Sequence, residues 1–393
     1  MSNPSPRCGL AFVALFAILA AFAGNSAGGQ MLPAERPLGR PQVVARFYGP
    51  MPTGVTVSQT GRIFVNFPRW GDKVDFTVAE LKNGRAVPFP NAALNRRRGD
   101  RPDASLISVQ SVVVDPLDRL WILDTGSVKF GPTTPGGPKL FGVDLKTNRV
   151  IKKIFFPRDV ALPTSYLNDV RFDLRRGREG TAFITDSSGT GPNAIIVVDL
   201  ASGRARRRLN DHPSTKAEPR FVPLVEGRPM YNRPTVGPAT NVKIGADGIA
   251  ISADGERLFY TPLASRRLYS VSVDALADER IQEDALAQTV TDHGDKGGGS
   301  DGLESDRQGR IYLTSYEHNA VLRRRVDGIY ETLVHDPRIL WPDTLSVANN
   351  GYLYFTANQL HRQPNFNRGA DLRRKPYVLY RVRINGGPVL LRR

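Results

Sequence analysis

VQSVVVDPLDRLWILD, from Val109 to Asp124, decides the fold. Two apolar arms flank the polar turn Asp115-Pro116-Leu117-Asp118. That is the pattern of a β-hairpin. The unit recurs as VTVSQTGRIFVN from Val55, LNDVRFDLRRGREGTAFITD from Leu167 and ADGIAISADGERLFYT from Ala246. It returns again as SDGLESDRQGRIYLTS from Ser300 and DTLSVANNGYLYFT from Asp343.

A second unit follows each copy of the first: a strand, an Asp-type turn, another strand. Its copies are VAELKNGRAVPF from Val78, GVDLKTNRVIKKIFF from Gly142 and VVDLASGRARRRL from Val197. The others are YSVSVDAL from Tyr269, LRRRVDGIYETLV from Leu322 and YRVRINGGPVLL from Tyr380. Two hairpins make a four-stranded blade, and both units count six. Repeats of this kind specify an all-β, six-bladed β-propeller with four-stranded blades, here expected over residues 41–393. The early strand QVVARFY, from Gln42, is placed to complete the last blade and remove an open sheet edge. Loops at Gly131–Pro138, His212–Pro238 and Asp292–Gly299 read as insertions that shape the channel mouth. DALADERIQEDALAQ, from Asp274, is the best helix candidate.

Residues 1–23 read as a cleaved signal peptide: Arg7 supplies the positive charge, Gly9–Ala23 is apolar, and Ala21-Phe22-Ala23 offers a cleavage site. The run is shorter than the ~20 apolar residues a membrane span needs. Residues 24–40 read as a flexible N-terminal segment, and the expected location is secreted or periplasmic. Cys8, the only cysteine, falls within the leader. Thiol catalysis, thiolate metal sites and disulfides are therefore excluded from the processed chain. The net charge is +16, with arginines scattered along the sequence. No nucleic-acid motif accompanies them, so nucleic acid is not an expected partner. A basic surface touching acidic surface polymers is the expected reading.

Longer motifs carry a resemblance. Pro52–Trp70, Ser108–Gly126, SYLNDVRFD from Ser165, AFITDSSGTGPNAIIVVDL from Ala182, Gly245–Val271 and FTANQLHRQPNF from Phe355 resemble the successive signatures of the major royal jelly protein / yellow family. The resemblance runs from about Pro41 onward. It implies a secreted six-bladed propeller. Insect relatives are linked to dopachrome conversion, to binding of biogenic amines, or to nutritional and signalling roles. Insect members usually carry cysteine pairs, and their absence here points to a bacterial-type member. More distantly, the chain resembles gluconolactonase / regucalcin propellers, whose central calcium is held by a Glu, two Asn and an Asp. The corresponding positions are Thr53, Asn168, Asp247 and Asp301.

Asn168, Asp247 and Asp301 each sit just ahead of an innermost strand, where positions converge on the axis. Their oxygens suit Ca²⁺, and Asp169 could add another ligand. Thr53 removes one carboxylate the lactonase site requires. Asp-Gly is also common in turns. The leading expectation is an axial pocket for a small ligand such as an aromatic amine or catechol derivative, contacted by Thr53, Asn168, Asp169, Asp247 and Asp301. The alternatives are a calcium-dependent lactonase-like hydrolase with Asp301 as general base, and an exported structural or surface-binding protein. Trp70, Trp121 and Trp341 read mainly as blade packing. Asp124, Asp186 and Thr314 read as structural, and Tyr316-Glu317-His318-Asn319 as a possible rim.

Overall fold

The computed structural model describes Met1 and residues 36–98 and 100–393. The expected leader lies outside the described residues, Met1 apart, as does most of 24–40. Six antiparallel sheets of four strands make six blades. Blade 1 is Val55–Val57, Ile63–Asn66, Val78–Lys82 and Arg85–Pro88. Blade 2 is Val109–Val114, Arg119–Asp124, Lys139–Asp144 and Arg149–Phe155. Blade 3 is Leu167–Asp173, Thr181–Asp186, Ala194–Asp199 and Ala205–Arg208. Blade 4 is Ala246–Ile251, Arg257–Pro262, Arg267–Ser272 and Thr291–Asp295. Blade 5 is Leu303–Ser305, Ile311–Ser315, Ala320–Arg324 and Tyr330–His335. Blade 6 is Pro342–Val347, Tyr352–Ala357, Tyr377–Arg383 and, from the other end of the chain, Gln42–Phe47.

The first strand of each blade is innermost and touches the first strand of the next, around to blade 1 again. These strands are rich in Val, Ile and Leu and almost wholly buried, whereas an outer strand such as Arg149–Phe155 alternates exposed and buried. That gradient follows from geometry: inner strands are covered on both faces by neighbouring blades, and outer strands meet water on one side. The hydrophobic clusters accordingly lie between blades, as where Trp121 of blade 2 stacks on Phe172 of blade 3.

Turn chemistry repeats as well. Asp115 accepts from the backbone N–H of Leu117 and Arg119, pairs with the Arg119 guanidinium, and accepts from the Trp121 indole. Asp306 does the same for Gln308, Arg310 and the Tyr312 hydroxyl. One carboxylate thus closes the hairpin turn and ties down the aromatic that fills the blade interface.

Three expectations change in detail. Thr291–Asp295, read as an inserted loop, is the outer strand of blade 4. It arrives late because two short helices, Val273–Ala277 and Glu283–Ala287, fill the stretch read as one helix. The segment after Arg383 does not supply an outer strand of blade 6. Gln42–Phe47 holds that place by pairing with Tyr377–Arg383. Residues 386–393 instead cross the face opposite the strand heads. The Gly387 carbonyl accepts from Arg307, the Leu391 carbonyl accepts from Leu174, and Arg392 reaches the Pro116 carbonyl. Just ahead of Gln42, the N–H groups of Leu38 and Gly39 donate to the carbonyls of Thr332 and Leu333 on the rim of blade 5. No helix among the described residues is long and apolar enough to cross a membrane.

Closure by Gln42–Phe47 has a measurable energetic weight. Phe47 is buried and packs edge-on against Phe67 of blade 1. Phe47→Ala is expected to cost about 3–5 kcal/mol, the usual range for a buried Phe truncation. In urea unfolding this appears as a lower midpoint with an unchanged slope.

Candidate functional site

Every blade places one residue at the head of its innermost strand: Thr53, Gln110, Asn168, Asp247, Asp301 and Asp343, in order around the ring. In four blades this residue falls in a break of register. Pairing jumps from Val109 to Ser111, from Leu167 to Val170, from Ala246 to Gly248, and from Pro342 to Leu345. Such a bulge leaves the extra residue unpaired and re-aims its side chain. Gln110, Asn168, Asp247 and Asp343 are directed to the axis in this way, and Asp301 joins them just ahead of Leu303.

Threonines on the second strands lock these backbones. The Thr314 hydroxyl accepts from the N–H groups of Asp301 and Gly302. The Thr185 hydroxyl donates to the Asp247 carbonyl of the next blade, and that of Thr356 donates to the Thr53 carbonyl. The Asp-Gly pairs here are not turns. A Cβ on Gly248 would lie 2.3 Å from the Asp301 carbonyl oxygen, and one on Gly302 would lie 2.2 Å from that of Asp343. Glycine follows each aspartate because the next blade's backbone fills the space.

A cavity of about 320 Å³ opens above these heads. Its floor carries Gln110, Asn168, Asp247, Asp301 and Asp343. The three aspartates are buried, and neutral donors hold them. The Asn168 amide lies 2.6 Å from Asp247 Oδ1, the Trp341 indole N–H donates to Asp301 Oδ2 at 2.7 Å, and the Asn358 amide lies 2.6 Å from Asp343 Oδ2. The carboxyls of Asp247 and Asp301 hydrogen-bond each other. Burial pushes the Asp301 carboxyl up to about 6 even against the Trp341 hydrogen bond. Burial, then the charge of Asp301, pushes Asp247 and Asp343 well above the ordinary carboxylate range. Two carboxyls in contact in a dry site cannot both ionise cheaply, so the pair shares a proton.

One wall is aromatic. Trp70 stacks on Phe130 with centroids 4.7 Å apart, and its indole N–H donates to the Tyr166 hydroxyl, which in turn donates to Gln110 Oε1. Phe130 is half exposed and holds a left-handed backbone, φ 56°. Phe366, Leu263, Ile244 and Leu360 complete the apolar lining.

The expected residues separate. Asn168, Asp247 and Asp301 come together on the floor. Thr53 does not line the cavity: its hydroxyl is taken up by the Asn66 amide and the Gln110 carbonyl. Nor does Asp169, which accepts from Ser111 and pairs with Arg171 at 2.9 Å. Arg171 spans the axis beneath the floor, donating to the Leu303 carbonyl of blade 5 and lying 3.5 Å from Glu304. Asp343 and Gln110 are additions, and both share the register that singled out Asn168. Trp70 also departs from expectation, since it lines the cavity, whereas Trp121 and Trp341 are buried. Tyr316 is buried under Trp341, with centroids 4.2 Å apart, and Glu317 pairs with Arg266. Asp124 and Asp186 accept from the N–H groups of Ile107, Ser108 and Tyr166 and serve the scaffold. Among the described residues, no three His, Cys, Asp or Glu side chains are arranged to hold a metal ion.

A family model, described as major royal jelly protein, matches residues 107–384. Protein yellow of Drosophila erecta is 28% identical over 247 residues, covering 58% of this chain and 42% of that protein. Major royal jelly protein 3 of Apis mellifera is 27% identical over 242 residues, covering 56% of this chain and 41% of that protein. The matches thus span about two fifths of the length of those relatives. Among solved structures, a gluconolactonase from Xanthomonas campestris superposes with a TM-score of 0.50 at 12% identity, covering 90% of this chain and 96% of its own. A calcium-binding regucalcin from Agrobacterium tumefaciens gives 0.51 at 15%, covering 88% and 97%. At those identities the likeness is one of fold.

A carboxyl harder to ionise in the folded chain than in the unfolded one favours folding most below the unfolded value of about 4. That contribution is lost as pH rises through about 6, the value for Asp301. Asp301→Asn is therefore expected to melt higher than the parent at pH 8, by an increment of about 1–3 kcal/mol. The increment should vanish near pH 4 in parallel melts across that range.

Proposed function

This chain belongs to the major royal jelly protein family, and on that footing we propose that its axial cavity binds a small cationic aromatic ligand, an aromatic amine or catecholamine. The observation that carries this reading is the pairing of three buried carboxyls on the floor with Trp70, Phe130 and Tyr166 on the wall. A ligand ammonium reaching Asp247, Asp301 and Asp343 replaces the shared proton as counter-charge. Its ring fits beside the Trp70–Phe130 stack, where edge and face contacts add to burial. The volume, about 320 Å³, matches a one-ring or two-ring molecule. Export is part of this reading, supported by the N-terminal sequence, and would bring the cavity to extracellular ligands.

Calcium-dependent lactone hydrolysis, with Asp301 as general base, is the second reading. The propeller fold and the raised Asp301 carboxyl support it. The donor set fits calcium poorly. The indole N–H of Trp341 already occupies Asp301 Oδ2, and an indole cannot turn an oxygen toward a metal. Thr53, where a lactonase carries Glu, is consumed by Asn66 and Gln110.

Calorimetry with tyramine and with 4-propylphenol, its isostere without the amine, decides between them. Tyramine is expected to bind at least about tenfold more tightly, since a desolvated charge pair is at stake. Asp343→Asn should remove most of that margin, and EDTA should leave melting temperature and affinity unchanged. Equal affinity for the two probes would overturn the amine reading. A chelator-induced loss of stability would favour the calcium one.

A further inference from the structure

A second, larger cavity of about 710 Å³ lies between the inserted segment 224–233 and the segment 361–374. Phe366 lines both this cavity and the axial one. Its chemistry is opposite to that of the axial floor. Five arginines line it (Arg228, Arg233, Arg362, Arg373 and Arg374), against two acids, Glu226 and Asp371.

Both acids are already committed. Glu226 holds Arg362 and His361, which burial keeps below its usual range despite that carboxylate. Asp371 holds Arg373, which also pairs with Asp72. Those pairs brace the walls. Arg228, Arg233 and Arg374 pair with no carboxylate among the described residues. Each comes from a segment fixed by backbone bonds. The N–H of Arg233 donates to the Asn365 carbonyl, and its own carbonyl accepts from Arg368. The Gln359 amide grips Arg374 by both its N–H and its carbonyl, at 2.7 and 2.6 Å. Guanidinium forks held around one concavity with apolar patches at Met230, Leu372 and Phe366 focus a positive potential into it.

We propose that this cleft is an anion site for a ligand bearing two or more carboxylate or sulfate groups, supplied either as a free small polyanion or as a segment of an acidic polysaccharide. Arg228, Arg233 and Arg374 take the anionic groups in charge-assisted hydrogen bonds. The apolar patches take the carbon skeleton. The site does not depend on the amine reading of the axial cavity.

Calorimetry of the full chain with citrate, inorganic phosphate and tetragalacturonate tests it. Replacing Arg228, Arg233 and Arg374 together by Gln is expected to weaken citrate and tetragalacturonate at least about tenfold. All three side chains reach solvent, so the melting temperature should hold. The control replaces Arg46, Arg85 and Arg149, exposed on outer strands, by Gln. It removes equal charge, and its effect should stay below about twofold. Tighter binding of tetragalacturonate than of citrate identifies the polymer as source, and the reverse identifies a free polyanion. Asp343→Asn should leave citrate affinity intact, which separates this site from the axial one. Equal losses in both triple variants, or no binding of any probe by the parent, would overturn the proposal.

Discussion

The inner strands of blades 2, 3, 4 and 6 each carry more residues than their neighbours can pair, and the axial chemistry depends on that misfit. A regular strand would send Gln110, Asn168, Asp247 and Asp343 into the interfaces between blades, where an unpaired carboxylate is prohibitive. The bulge turns them toward the axis instead. The cost in lost ladder bonds is offset by the hydroxyls of Thr185 and Thr356, which accept from the displaced N–H groups of Asp169 and Thr344 and donate to the Asp247 and Thr53 carbonyls of the next blade. Ring closure through Gln42–Phe47 then fixes the separation of the six heads.

The result is a charge imbalance along the axis. Asp247, Asp301 and Asp343 face one another and Asp169, while the Arg171 guanidinium beneath them pairs with Asp169 and Glu304. Asp169 and Glu304 are answered by Arg171, and the three upper aspartates are answered only by neutral N–H and O–H donors. Such a cluster lowers folding stability at neutral pH. Trp341, itself in a left-handed backbone and fully buried, shows how much of the surrounding packing is devoted to holding one carboxylate in place.

The fold was legible because hairpin periodicity and turn chemistry are local, and because the first hairpin recurs in all six blades. Asn168, Asp247 and Asp301 were legible for the same reason: each heads an inner strand. Asp343 carries the same signal in DTLSVANN, but it has no counterpart in a four-ligand calcium site, where the fourth position is Thr53. Asp169 was misplaced because the alternation of faces breaks at a bulge, and sequence does not say which of two successive residues is displaced. The wall was not legible. Trp70, Phe130 and Tyr166 meet through loop geometry, including the left-handed turn at Phe130, that no short-range pattern specifies. The outer strand of blade 4 was hidden by the helices that precede it.

Residues 386–393 bear on traffic through the molecule. They lace together the lower ends of blades 2, 3 and 5, while Arg171 bars the axis above them. A propeller axis is in principle a tunnel, but here it is a blind well. An occupant of the floor would therefore enter and leave by the strand-head side alone.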